Sequence, residues 1–103
     1  DFLHVQDVAD GFVALLDSDV QGCVNIASGK AITIKEIVYK IADIFGKIDL
    51  IELGTIPTSP SEAPLVVANI NRLSNEVGWQ PKYDLEIGIL ETINWWKTQI
   101  DVE

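Results

Sequence analysis

The sequence predicts an α+β fold, and the order of its apolar patterns indicates this class. A short apolar segment, an amphipathic helical segment and a second short apolar segment follow one another at the beginning of the 103-residue chain. This order is typical of a β-α-β unit with a right-handed crossover. The second half alternates helical patterns with shorter apolar runs. We therefore expect one βαβ-like unit, followed by helices and short strands.

The βαβ-like unit begins with a predicted strand at residues 1–5 and ends with another at residues 23–27. Between them, Asp7 is placed to cap a helix whose apolar residues recur every fourth position. These residues are Val8, Phe12 and Leu16. Two short parallel strands need further structure to cover both of their faces. The chain also begins abruptly and contains no Met, so we expect it to be part of a longer protein.

A second helix is predicted from the T-x-x-E spacing of Thr33 and Glu36. In such a capping box each side chain bonds a backbone N–H that would otherwise be unpaired. Gly46 is placed to end this helix, and residues 48–53 are predicted to form a strand. The apolar face of the helix consists of Ile34, Ile37, Val38, Ile41, Ile44 and Phe45.

The second half begins with a proline-rich loop at residues 54–64. Three prolines and a glycine within this stretch exclude regular structure. A strand at residues 65–68 is predicted to follow. Asn69 is placed to cap a helix that ends at Gly78, and Asp84 is placed to cap the last helix.

Composition narrows the range of functions. The net charge of −9 and the isoelectric point near 4.3 argue against binding to nucleic acids or to anionic membranes. No apolar run approaches the ~20 residues of a membrane-spanning helix. The single cysteine, Cys23, excludes an internal disulfide and fits a reducing cytoplasm.

The sequence contains no recognisable catalytic motif. The glycines are not spaced as in a dinucleotide-binding or phosphate-binding loop, and neither Tyr39 nor Tyr83 has a lysine four positions later. His4 is the only histidine. It fits a core or cleft residue in an apolar segment, and a nucleophilic triad with Ser28 and an aspartate is the alternative.

Two further pairs allow both a functional and a structural interpretation. Asp7 and Asp10 lie on one side of the first helical turn, either as paired carboxylates or as a cap with a favourable charge near the helix N-terminus. Trp95 and Trp96 form either a sugar-stacking platform or part of the core, with one ring packed and the other at the rim. We expect the structural interpretation in both cases.

Three blocks of sequence resemble the NAD-dependent epimerase/dehydratase family, the extended short-chain dehydrogenase/reductases that act largely on nucleotide sugars. They are DFLHVQDVADGFVALL, GCVNIASGKAITIKEIVYKIADIFG and PSEAPLVVANINRLSNEVGWQPKYDLEIGILETINWW. The blocks stand in the family's order and cover nearly the whole chain. The resemblance implies that residues 1–103 are a single C-terminal, substrate-binding domain fragment.

The same resemblance implies that the cofactor domain lies elsewhere in a longer parent enzyme. A Rossmann domain with bound NAD or NADP and with the catalytic residues would precede this segment. We therefore expect residues 1–103 to bind no cofactor or metal and to be inactive alone. The parent would be a cytoplasmic isomerase, lyase or oxidoreductase whose substrate is a nucleotide sugar.

The resemblance also implies roles for individual residues. Phe2, His4 and Glu62 correspond to substrate-binding positions. Asn25 corresponds to a residue that bonds the backbone. The other matched positions are structural, and they are Asp7, Thr33, Glu36, Asn69, Gly78 and Trp79.

One departure from the family pattern leaves other functions open. Residues 56–61 contain no basic side chain, whereas the family places an arginine in this loop, where it can grip a diphosphate. The alternatives are a non-catalytic interaction module of the same descent, or a reductase of a non-nucleotide substrate. We also expect self-association through exposed strand edges at residues 23–27 or 2–5.

Overall fold

The computed structural model describes residues 1–100, in which three α-helices are joined by irregular segments. Helix α1 covers Val5–Leu16, α2 covers Ile34–Phe45 and α3 covers Leu85–Gln99. A 3₁₀ turn at Ile48–Leu50 follows α2, and a π-helical turn at Leu73–Val77 precedes α3. None of the helices in this part of the chain is long and apolar enough to span a membrane.

The predicted α+β class is wrong for the part of the chain that the structure describes. Residues 1–100 contain helices and turns but no strand, so the βαβ-like unit at the beginning is not formed. Val5 begins α1 instead of ending a strand. Residues 48–50, predicted to begin another strand, form the 3₁₀ turn.

A side chain, and not a backbone ladder, joins the segments near the predicted strands. The carboxylate of Asp1 accepts hydrogen bonds from the backbone N–H groups of Ser28 and Gly29, both at 2.9 Å. It also accepts one from the backbone N–H of Ala68 at 3.2 Å. A sheet would use such groups in bonds between backbones. Here the Asp1 carboxylate joins its own segment to residues 28–29 and to residue 68, and no ladder of backbone hydrogen bonds forms between these segments.

Helix α1 begins earlier than the sequence predicts because His4, not Asp7, supplies its cap. The Nδ1 atom of His4 accepts the backbone N–H of Gln6 at 3.0 Å. This contact satisfies one of the free N–H groups in the first turn. Asp7 therefore lies within the first turn of α1, and the prediction that it caps the helix is wrong.

The ends of α2 and α3 follow their local sequences. Thr33 Oγ1 accepts the backbone N–H of Glu36 at 3.1 Å. Gly46 ends α2 with φ of +64°, a left-handed conformation that glycine adopts at little cost. Asp84 accepts the backbone N–H of Ile87 at 2.8 Å at the start of α3.

The described residues bury few large apolar side chains. Leu73 and Ile93 are the only such side chains classed as buried in residues 1–100. The radius of gyration is 16.5 Å, against about 13 Å for a compact domain of this size. Trp95 and Trp96 are each about half exposed, at 54% and 53%. The expectation that one of these rings packs in the core is therefore wrong.

Candidate functional site

A groove of about 870 Å³ lies between α2 and the first half of α3. Residues 2–4 and 80–84 border it, together with the turn at residues 28–32. Sites that hold small organic ligands have volumes of about 300–1,000 Å³. Its apolar lining includes Phe2, Ile37, Ile41, Ile70 and Ile89.

Three of the seven basic residues line this groove. They are Lys30, Lys40 and Lys82. Lys40 Nζ lies 3.1 Å from Glu86 Oε1 in an exposed ion pair. Within residues 1–100, neither Lys30 nor Lys82 forms an ion pair. Asp84 and Glu86 line the groove as well, so its lysines outnumber its carboxylates by one. Because Lys40 is paired with Glu86, Lys30 and Lys82 are the lysines available to an anionic group.

The sequence alone did not identify these lysines as a group. They lie at positions 30, 40 and 82 on three different segments, and no short motif connects them. The expected place for a basic residue was the loop at residues 56–61, which contains none. Lys30 follows the turn at Ser28 and Gly29, and that turn is the one local signal that could have drawn attention to it.

Two of the three residues that the resemblance assigned to substrate binding lie in the groove. Phe2 lines it and is 42% exposed. His4 lines it as well, and its ring stacks on that of Tyr83 with 4.3 Å between ring centroids and 18° between planes. Tyr83, which sequence reasoning did not assign to a site, is therefore part of the same wall.

Glu62, the third of these residues, lies apart from Phe2 and His4. It does not line the groove. It is exposed, and its backbone N–H donates to the Ser59 carbonyl at 3.0 Å within the proline-rich loop. The structure therefore places Phe2 and His4 together and Glu62 elsewhere.

Asp7 holds the segment that carries Lys82 and Tyr83. Its side chain is fully buried. Oδ1 accepts the backbone N–H of Lys82 at 2.9 Å, and Oδ2 accepts that of Tyr83 at 3.0 Å. Asp10 Oδ1 has a different partner, the Nε2 group of Gln6 at 3.2 Å. The two carboxylates thus make separate contacts, and that of Asp7 anchors one wall of the groove.

The alternative of a triad built on His4 and Ser28 has no support in the hydrogen bonds. Ser28 Oγ donates to Asp1 Oδ1 at 2.8 Å, and His4 Nδ1 accepts from Gln6. No hydrogen bond joins His4 to Ser28 in residues 1–100. The same residues contain no group of three His, Cys, Asp or Glu side chains placed to hold a metal ion.

Arg72 acts as a structural clamp away from the groove. Its Nη1 donates to the Cys23 carbonyl at 2.9 Å and its Nη2 donates to the Gln21 carbonyl at 2.7 Å. Its Nε donates to Glu76 Oε2 at 2.6 Å. This hydrogen bond lowers the pKa of the Glu76 carboxyl and raises the pKa of Arg72. The guanidinium is therefore engaged by the protein itself.

The remaining positions taken from the resemblance lie around the π-helical turn. Asn25 Nδ2 donates to the Asn69 carbonyl at 3.1 Å. Asn69 Oδ1 accepts the backbone N–H of Asn71 at 2.9 Å. Gly78 ends the turn with φ of +76°, and Trp79 follows it, half-buried. These contacts join the segment after Cys23 to the segment before α3.

Curated relatives of this chain are enzymes named for nucleotide sugars. GDP-L-fucose synthase 1 of Arabidopsis thaliana is 36% identical over 98 residues, which cover 93% of this chain and 29% of that enzyme. UDP-glucose 4-epimerase of Pisum sativum is 33% identical over 103 residues, covering 94% of this chain and 29% of that enzyme. No family model and no solved structure matches the chain.

The chain therefore spans about 29% of the length of these relatives. The similarity extends over nearly all of its own residues. The resemblance to part of an NAD-dependent epimerase/dehydratase is thereby confirmed.

Proposed function

We propose that this chain is the substrate-binding part of an NAD(P)-dependent epimerase, dehydratase or reductase of nucleotide sugars, and that its groove receives the substrate. The observation that carries the proposal is the placement of Lys30, Lys40, Lys82 and His4 along one apolar groove. A nucleotide sugar combines a diphosphate with less polar rings. An apolar groove with several cationic groups matches that combination.

The lysines offer a physical substitute for the arginine that is absent from the proline-rich loop. Lysine ammonium groups bind phosphate as compact point charges, although without the bidentate geometry of arginine. Lys82 is the best placed of the three, because its backbone is fixed by Asp7 and its side chain forms no ion pair within residues 1–100. We therefore assign the main phosphate contact to Lys82, with Lys30 as its partner.

The nicotinamide cofactor belongs, in this proposal, to another domain of the parent enzyme. The glycines of this chain do not form the spaced loop that holds a dinucleotide pyrophosphate, and the described residues do not fit that group. Residues 1–103 are then one domain fragment that is inactive alone. We place the parent in the cytoplasm, because the single thiol of Cys23 is free.

Titration of the full-length parent with UDP-glucose and with GDP-L-fucose tests this assignment. Replacing Lys82 by Ala removes a charge-assisted hydrogen bond of about 1.5–3 kcal/mol. We expect the affinity for the bound nucleotide sugar to fall by about tenfold or more. Lys47→Ala is the matched control, because Lys47 is exposed and lies outside the groove.

Two outcomes of this titration would contradict the proposal. One is that the wild-type enzyme binds neither UDP-glucose nor GDP-L-fucose. The other is that Lys82→Ala and Lys47→Ala change the affinity equally, which would mean that only the overall charge matters. A loss confined to Lys82→Ala supports the proposed site.

A further inference from the structure

We propose that His4 uses its two ring nitrogens for two separate tasks. Nδ1 holds the beginning of α1, while Nε2 carries the ring proton and donates it in a hydrogen bond to an oxygen atom of the ligand in the groove. The inference deepens the proposed function and rests on it, since that function supplies the ligand. His4 then acts as a donor of fixed position.

The contact at Nδ1 determines where the ring proton lies. The backbone N–H of Gln6 points to Nδ1 over 3.0 Å, and a backbone N–H can only donate. Nδ1 must therefore offer its lone pair. A neutral imidazole has one protonated nitrogen, so the proton of His4 is on Nε2. The local structure of the α1 N-terminus thus selects the tautomer.

The other nitrogen is open to a ligand. Within residues 1–100, His4 forms its side-chain hydrogen bond through Nδ1, and no group of the protein bonds Nε2. No polar side-chain atom in this part of the chain is both fully buried and without a partner. Because His4 is only half-buried and lines the groove, Nε2 reaches solvent, where a ligand oxygen can replace water.

The ring is stacked on one face and lies close to α3. Tyr83 stacks on one face at 4.3 Å between centroids, and the backbone N–H of Tyr83 is bonded to the buried carboxylate of Asp7 at 3.0 Å. On the α3 side, a Cβ atom built at Gly88 would lie 3.6 Å from His4 Cδ2. A donor fixed in this way loses little freedom on binding, which favours affinity.

The ring also borders a second hollow of about 440 Å³ beside Trp95 and Trp96. That hollow is lined by Glu91 and by no basic residue. The groove has three lysines against the carboxylates of Asp84 and Glu86. An anionic ligand is therefore expected in the groove and not in the second hollow.

Two substitutions in the full-length enzyme separate the tasks of His4. In His4→Asn the amide oxygen takes the place of Nδ1, and asparagine is a good helix cap, but the Nε2 donor is lost. In His4→Gln the longer amide offers a donor near the Nε2 position, but glutamine is a poor cap. Both variants lose the ring that stacks on Tyr83, so each is the control for the other.

We expect opposite effects on stability and on binding. His4→Asn should keep an unfolding midpoint above that of His4→Gln, while its affinity for UDP-glucose or GDP-L-fucose falls about fivefold to tenfold below that of the wild type. His4→Gln should retain more of the affinity. Nitrogen-15 NMR of the wild-type ring should show the proton on Nε2 and a shift of the Nε2–H signal when the nucleotide sugar is added.

The outcomes that would contradict the inference differ from those that would contradict the proposed function. A proton on Nδ1, an unmoved Nε2–H signal, or wild-type affinity in His4→Asn would contradict the inference alone, since the substrate still binds. Failure of the wild-type enzyme to bind either nucleotide sugar would contradict the proposed function, and the inference with it.

Discussion

Asp7 and Tyr83 are joined by a hydrogen bond of 3.0 Å between the buried Asp7 Oδ2 and the Tyr83 backbone N–H, although 76 positions separate them in sequence. The same carboxylate accepts the backbone N–H of Lys82 at 2.9 Å. One acidic side chain in α1 therefore fixes the segment that carries a lysine and an aromatic ring of the groove. The stability of the fold and the shape of the groove should therefore both depend on Asp7.

Replacing Asp7 by Asn should destabilise the folded protein by about 2–4 kcal/mol. The amide has one oxygen where the carboxylate has two, so one buried backbone N–H loses its partner and faces an NH₂ group. The free energy of unfolding in urea measures the loss. Asp19→Asn, at an exposed position, is the control and should cost less than about 0.5 kcal/mol. Equal losses in the two variants would show that the Asp7 contacts contribute nothing specific.

A pair of buried helical glycines should respond in opposite ways to alanine. A Cβ at Gly11 would lie 2.9 Å from Ile26 Cγ2, whereas one at Gly88 would meet His4 Cβ at 3.5 Å, an ordinary contact. We expect Gly11→Ala to cost about 1–3 kcal/mol through overpacking. Gly88→Ala should be neutral or stabilising by up to about 1 kcal/mol. The thermal unfolding midpoints of both variants test this prediction. A midpoint of Gly11→Ala above that of the wild type would contradict the packing of α1 against Ile26.

The contact between Arg72 and Glu76 should make stability depend on pH in one direction. The hydrogen bond from Arg72 lowers the pKa of Glu76 in the folded protein. The ionised Glu76 carboxylate therefore stabilises the folded protein at pH values above the pKa that it has in the unfolded chain. This contribution to the free energy of unfolding is lost as the pH falls through the lower pKa of the folded protein.

Glu76→Gln measures that contribution directly. We expect the variant to unfold at a lower urea concentration than the wild type at about pH 7, and the difference to shrink as the pH falls below about 4.3, the ordinary pKa of a glutamate side chain. The effect is small because the pair is exposed. A difference that persists or grows in acid would contradict the assigned direction.

The isolated 103-residue chain should self-associate, although not through the strand edges expected at residues 2–5 and 23–27, because neither segment forms a strand in the described part of the chain. Large apolar side chains are exposed on all three α-helices, including Phe12 on α1, Phe45 on α2 and Trp95 on α3. Exposed large apolar side chains favour association when they form a contiguous patch. In the parent we expect the remaining domain to cover much of it. Sedimentation of the isolated chain should show a mass that rises with concentration, and a monomer at every concentration would contradict this prediction.

Local sequence predicts a helix end where the contacts that form this end come from neighbouring residues. The Thr33 cap and Gly46 fix the ends of α2, and both are visible as sequence patterns. The presence of strands could not be predicted from local sequence, because an apolar run does not show which groups will form hydrogen bonds with its backbone. Here the carboxylate of Asp1 takes up N–H groups at Ser28 and Ala68, and no ladder forms in the described part of the chain.

The candidate site was predictable only where family motifs mark it. Phe2 and His4 were identified through their block and lie in the groove, whereas Glu62 does not. Lys82 carries no motif, and its place in the groove depends on Asp7, which is distant in sequence. Long-range contacts of this kind leave no periodic signal, so only the folded chain shows that these lysines share one groove.

Hydrogen exchange of the full-length parent protein, with and without UDP-glucose or GDP-L-fucose, tests the central claim most directly. If the groove receives the nucleotide sugar, peptides that cover residues 28–32 and 80–86 should exchange more slowly when the ligand is present. The exposed loop at residues 52–66 should be unchanged. Slower exchange confined to that loop around Glu62, or to residues outside this chain, would contradict the assignment of the substrate to the groove.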